Sequence, residues 1–195
     1  MNSRVLPLFP LGSLVFPGGP LPLRIFEARY VDMIKRCMKD DTGFGVVLLA
    51  RGSEVGKTAA AATMGVGTEV RVIDFDRLPD GLLGITARGQ ERFRILRAWR
   101  EADGLNMGEV EDLPPLPRVR VPLEYALLAD ILERLMPELG AEYAALPADY
   151  QDAGWVGARL AEVLSMEPFE RQALLEVDDP VARLAQLMPL VRGAN

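Results

Sequence analysis

Histidine is absent from all 195 residues of this sequence, and cysteine occurs once, as Cys37. Those two scarcities remove the Ser-His-Asp and Cys-His nucleophile pairs, the commonest general acid/base, and the imidazole ligand of most catalytic zinc sites. A Cys₄ or Cys₂His₂ zinc site is likewise excluded within one chain, as is an internal disulfide. Lysine is limited to Lys35, Lys39 and Lys57. Long apolar runs are missing too: charges or prolines interrupt every candidate before the roughly 18 to 20 residues a membrane-spanning helix needs. The N-terminus has one early charge, Arg4, then a proline-punctuated apolar stretch with no small-residue cleavage site. These absences lead us to expect a cytoplasmic, non-catalytic protein with no cofactor, no metal and no membrane partner.

What is present is globular composition, 49% hydrophobic and 26% charged. Residues 1–117 hold 15 basic and 15 acidic side chains, and residues 118–195 hold 7 and 13, so the net charge of −6 sits in the second part. Leu113-Pro114-Pro115-Leu116-Pro117 separates the two. Three of its five residues lack a backbone donor, so it can continue neither a helix nor a central strand. The expected organisation is therefore a mainly β region over 1–117 and a helical region over 118–195.

Phe44 to Ala50 is a continuous apolar run of strand length, as expected when both faces are covered. Segments 68–75, 82–87, 92–100 and 105–111 follow, separated by turn residues at 78–81, 88–90 and 102–104, which is sheet or barrel spacing. One helix is expected from Glu27 to Lys39, with Phe26, Tyr30, Met33, Ile34, Cys37 and Met38 on its apolar stripe. In the second region, helices are expected over Pro122–Met136, Asp152–Leu164, Phe169–Val177 and Pro180–Arg192, with a short turn of helix at 138–145. Pro189 should kink the last helix or end it early.

Three motifs offer chemistry. Arg51-Gly52-Ser53-Glu54-Val55-Gly56-Lys57-Thr58 imitates a phosphate-binding loop, but counted from Gly52 it is one residue short, so it is expected to be an inter-strand loop. Arg88, Arg92, Arg94, Arg97 and Arg100, with Phe93 and Trp99 among them, form the one basic cluster worth testing against nucleic acid. Arg92 and Arg94 should share a strand face opposite Phe93, and nearby acidic residues and the overall charge weigh against phosphate binding. Asp74, Asp76 and Asp80 read as the polar end of a strand entering a turn, since nothing completes a cation-binding segment.

Residues 6–30, LPLFPLGSLVFPGGPLPLRIFEARY, are unusual. Five prolines and three glycines among large apolar side chains imply an extended path with fixed turns and deny it regular central pairing. This run resembles the opening signature of the amino-terminal, substrate-binding domain of Lon proteases, especially small stand-alone proteins made of that domain alone. The similarity continues through Arg51–Gly56, Gly67-Thr68, Asp74–Gly81, Gly89–Phe93, Arg171–Glu176, Asp178–Pro180 and Arg183-Leu184. It implies an α+β fold: a PUA-like twisted sheet or pseudo-barrel with one helix, followed by a helical bundle.

The resemblance also implies recognition of unfolded or apolar polypeptide segments without processing, because these 195 residues hold neither a proper Walker loop nor room for a Ser-Lys peptidase. An adaptor or unfolded-protein sensor is the expected role, with an RNA-binding PUA-like module as the alternative. Glu27 and Arg29 match a charged block of the family's substrate-contacting surface. Phe16, Leu21, Leu23 and Phe26 are expected to line an apolar groove beside them. The oligomeric state is not legible in the sequence.

Overall fold

The computed structural model describes residues 3–50 and 60–192. The chain forms two compact units, Met1–Pro114 and Pro115–Asn195.

The first unit contains β1 (Ser3–Leu11), β2 (Pro20–Ile25), α1 (Ala28–Asp40), β3 (Phe44–Leu49), β4 (Thr63–Arg77), β5 (Leu83–Arg100) and β6 (Asn106–Asp112). The strand order is β2-β5-β4-β3-β1-β6, and β6 pairs again with β5. Five strands therefore close on themselves into a barrel, and β2 hangs on β5 as an edge strand. β3 pairs with β1 in parallel and with β4 antiparallel. Its unbroken apolar run follows from burial on both sides: Val46 packs with Phe9, Tyr30, Ile34 and Phe44, whereas Val47 packs with Leu6, Leu8, Phe93 and Val110.

Two expectations fail for tertiary reasons. The proline-rich start does pair centrally, since β1 lies between β3 and β6. It can do so because its partners change midway: β6 pairs with Ser3–Leu8 and β3 with Leu8–Leu11. Pro7 and Pro10 thus each have a partner strand on one side only, so a missing N–H can face the open side. The second failure is the turn at Arg88-Gly89-Gln90. β5 runs unbroken through it, with a bulge opposite β4 between Thr68 and Val70. Beyond the bulge Arg92, Phe93 and Arg94 pair in unbroken register with Thr68, Gly67 and Val66, so the two arginines share the face opposite Phe93 as expected, but Arg92 is buried and only Arg94 is exposed.

On α1, Tyr30, Met33, Ile34 and Cys37 are buried as the helical spacing requires. Phe26 precedes the helix and Met38 lies at the stripe's margin, so both are exposed. The helix ends at Asp41, the one non-glycine residue with positive φ (49°) among the described residues.

The second unit holds α2 (Ala126–Leu135), α3 (Ala141–Ala144), α4 (Ala153–Val163), α5 (Pro168–Glu176) and α6 (Pro180–Arg192), with single 3₁₀ turns before and after α2. Asp152 caps α4 by accepting the Trp155 N–H. The buried faces of α2, α4 and α6 supply Leu128, Leu132, Val156, Leu160, Leu184 and Leu187. Leu127, beside the buried Leu128 on α2, is exposed. Two arginines close helix C-termini: Arg171 donates to the carbonyls of Ala161 and Leu164, and Arg183 to those of Leu174 and Val177. α6 does not end at Pro189 but runs on to Arg192, where few intrahelical bonds remain to be lost.

A candidate recognition cavity beside the first helix

Where β2 passes into α1, the chain leaves a cavity of about 300 Å³. Its apolar wall comes from Phe9, Leu11, Leu23, Ile25, Phe26 and Tyr30, with Arg24, Glu27, Arg29 and Asn106 among the polar lining residues. The sheet register explains the selection. Leu21, Leu23 and Ile25 alternate with Pro22 and Arg24 along β2, so the leucines and isoleucine face the core. Ile25 is sealed by neighbours and Leu23 only partly, which leaves Leu23 available to the cavity.

Phe26 stands at the lip with 73% of its surface exposed. Beside it the charges are mutually engaged. Arg29 pairs with Glu27 at 2.7 Å, donates to the Gly104 carbonyl at 2.6 Å, and lies 4.7 Å from the centre of the Tyr30 ring. This latches the start of α1 to the turn between β5 and β6. Tyr30 packs edge-on against Phe9 with ring centroids 4.0 Å apart, and burial pushes its phenol above the ordinary range. Asn106, 4% exposed, accepts the Ala61 N–H at 3.1 Å. The result is an apolar recess with a fixed polar rim and no free nucleophile or acid/base pair among the described residues that line it.

Four of the six residues singled out from the sequence therefore meet at one cavity: Leu23, Phe26, Glu27 and Arg29. Phe16 and Leu21 do not. Phe16 is completely buried, with its carbonyl against Gly89 of β5, and Leu21 is 8% exposed within the apolar core that also holds Ile25, Met33 and Ile85. Glu27 makes no side-chain cap on α1 and holds Arg29 instead. Asn106 and Phe9 belong to the cavity but carry no sequence signal that singles them out.

The other motifs fare differently. The 51–58 phosphate-loop imitation lies outside the described residues. In the basic cluster Arg92 is 2% exposed and Arg100 donates to the Gly104 carbonyl, so the five arginines do not form one exposed face. Asp80 accepts the Leu82 N–H in a tight turn and pairs with Arg24. Among the described residues no group of three or more His, Cys, Asp or Glu is placed to hold a metal ion, and no helix is long and apolar enough to cross a membrane.

Comparison with known proteins gives a consistent picture. The family model described as the ATP-dependent protease La (LON) substrate-binding domain matches residues 5–193. Lon protease 2 of Myxococcus xanthus is 30% identical over 194 residues, covering 96% of this chain and 23% of that protein. The chain thus spans about a quarter of the length of such curated relatives. A crystal structure of a Lon N-terminal domain protein from Xanthomonas campestris aligns with a TM-score of 0.79 at 38% identity, covering 95% of this chain and 98% of that one. The N-terminal domain of a Mycobacterium avium complex Lon protease shares the fold, with a TM-score of 0.67 at 16% identity.

Proposed function

The chain belongs to the Lon substrate-binding domain family, and from that premise we propose that it is a non-catalytic module that binds polypeptide, acting as an adaptor or a sensor of unfolded chains. The observation that carries this reading is Phe26, a phenyl ring held mostly in solvent at the mouth of an apolar cavity while Ile25, the apolar residue before it, is buried. A large exposed apolar side chain beside a recess is the arrangement expected where a partner completes the burial.

The dimensions set the occupant. At about 300 Å³ the cavity is at the small end of ligand sites, which run from roughly 300 to 1,000 Å³. It suits one bulky apolar side chain of an accessible segment, which an unfolded chain offers and a folded one conceals. Burying one such side chain contributes about 1.5–3 kcal/mol. Single-site affinity should therefore be weak, and a chain presenting several apolar residues should be favoured by rebinding. The buried Arg92 gives no specific support to an RNA-binding reading.

The test is fluorescence anisotropy with labelled, unstructured peptides that carry or lack one Phe or Leu. Apolar peptides should bind and Phe26→Ala should abolish the binding while the protein still melts cooperatively. Equal signals from apolar and all-polar peptides would remove the reading.

A further inference from the structure

The strand that brings Leu23 and Ile25 to the cavity belongs to a three-stranded part of the sheet, β2 with the ends of β5 and β4, and this part has two outer edges. β2 pairs with β5 alone. β4 loses β3 after Val70, so Arg71–Arg77 has only β5 beside it. Among the described residues no strand covers either edge. Unpaired N–H and C=O groups along an edge are a template on which another extended chain adds as a strand. Beside a site for extended polypeptide, such an edge would decide how the partner is held.

On β2 the donors are missing. Opposed residues of an antiparallel pair alternately exchange two hydrogen bonds and none, and a residue that exchanges none turns its N–H and C=O to the other side. Gly19, just before β2, accepts the Gly89 N–H. By the period of two, Leu21, Leu23 and Ile25 are then the residues bonded to β5, and Pro20, Pro22 and Arg24 face the open edge. Only Arg24 brings an N–H there. The two proline rings stand where the carbonyls of an incoming strand would seek a donor.

On β4 the donors are occupied. Thr86 and Gly84 oppose Pro22 and Arg24, so their own N–H and C=O groups turn to β4, where they meet Asp74 and Asp76. Phe75 and Arg77 therefore send theirs to the open edge. The Phe75 N–H donates to Asp74 Oδ1 at 2.8 Å, and the Arg77 N–H to Asp76 Oδ1 at 2.7 Å. Each aspartate thus covers the outward donor of the residue after it. A bulge between Val72 and Asp74 bends the same edge away from a straight partner.

We propose that both edges are closed to strand addition, so that a polypeptide partner is held by its side chains at the cavity beside Phe26 and its backbone forms no ladder with β2 or β4. The statement about the partner rests on the polypeptide-binding reading, whereas the closure of the edges stands on the sheet alone. The experiment titrates the native chain with an unstructured peptide carrying one Phe and with its twin methylated at the backbone nitrogens on either side of that Phe. The two affinities should agree within about threefold. A ladder would lose at least two hydrogen bonds on methylation, so weakening of about tenfold or more would overturn the proposal and leave polypeptide binding standing. If neither peptide binds, the polypeptide-binding reading falls, and the edges are judged by light scattering. There a variant with Pro20→Val, Pro22→Val, Asp74→Ala and Asp76→Ala should have a higher mass than the native chain at equal concentration. A variant with Asp74→Asn and Asp76→Asn, whose amide oxygens still accept the Phe75 and Arg77 N–H groups, should match the native chain. A fourfold variant that melts cooperatively and keeps the native mass would overturn the closure; where that variant does not fold, the methylated peptide decides.

Discussion

The carbonyl oxygen of Phe16 occupies the space that a Cβ on Gly89 would need. The contact is made by two backbone hydrogen bonds, from Gly18 N–H to the Gly89 carbonyl and from Gly89 N–H to the Gly19 carbonyl, both 2.9 Å. The Pro17–Gly19 turn is thereby pinned onto β5, and the turn delivers β2, which brings Leu23, Arg24 and Ile25 to the cavity, to its place beside that strand. Replacing Gly89 with alanine should force the two backbones apart and cost about 1–3 kcal/mol, the usual scale of overpacking. Urea unfolding of the variant would measure this, and an unchanged midpoint would mean that the turn can shift freely.

Phe26 and Arg29 should separate cleanly in a stability assay. Phe26 is exposed, so Phe26→Ala should leave the melting temperature within a degree or so, because surface changes are usually within about 0.5 kcal/mol. Arg29→Ala removes a charge-assisted bond to the Gly104 carbonyl and leaves Glu27 without its partner. A loss of about 1–2 kcal/mol is expected. Peptide binding lost in the Arg29 variant alone would then report a loosened cavity wall, whereas loss in the Phe26 variant reports a missing contact.

How much of this was legible beforehand depends on whether the deciding contact is local. The apolar run of β3 and the Tyr30, Met33, Ile34 and Cys37 stripe of α1 are local patterns, and they fold as the spacing demands. Gly89 looks like a turn residue in sequence, yet it sits in mid-strand because another backbone approaches it. The prolines of β1 look incompatible with a central strand until the change of partner at Leu8 is known. The same holds for the site. Phe16, Leu21, Leu23 and Phe26 are alike as apolar residues in a proline-broken segment, and only the tertiary packing decides that the first two are covered by neighbours while the others reach the cavity. Asn106 had no pattern to betray it, being one polar residue at the start of a strand.

Cys37 should behave as a core residue and not as a reactive thiol. It is buried, its Sγ lies 3.5 Å from the Gly43 carbonyl, and burial raises its pKa above the ordinary thiol value. The thiolate is the reactive form, so a raised pKa and exclusion from solvent both slow attack. Modification by a disulfide reagent at pH 8 should be at least about tenfold slower in the native chain than in urea. Equal rates would show that α1 opens readily.

The helical unit should lose stability in alkali through Tyr143. Its hydroxyl donates to Glu162 at 3.3 Å, and burial first, then the Glu162 charge, raises the phenol well above its reference value of 10.0. A raised pKa means that the folded state holds the proton more tightly than the unfolded state does. The associated stability is therefore complete below pH 10 and is lost as pH climbs through the gap towards the folded pKa. Tyr150, in the same unit, and Tyr30 and Cys37, in the other, are shifted the same way and will add to the decline. Tyr143→Phe isolates one share of it. At pH 8 the variant should be less stable by about 1 kcal/mol for the missing hydrogen bond. Above pH 10 its stability should fall less steeply than that of the parent, so the difference between the two shrinks. Thermal unfolding of both proteins at pH 8, 10 and 11 measures that difference directly, and a constant gap would place the Tyr143 hydroxyl in contact with solvent.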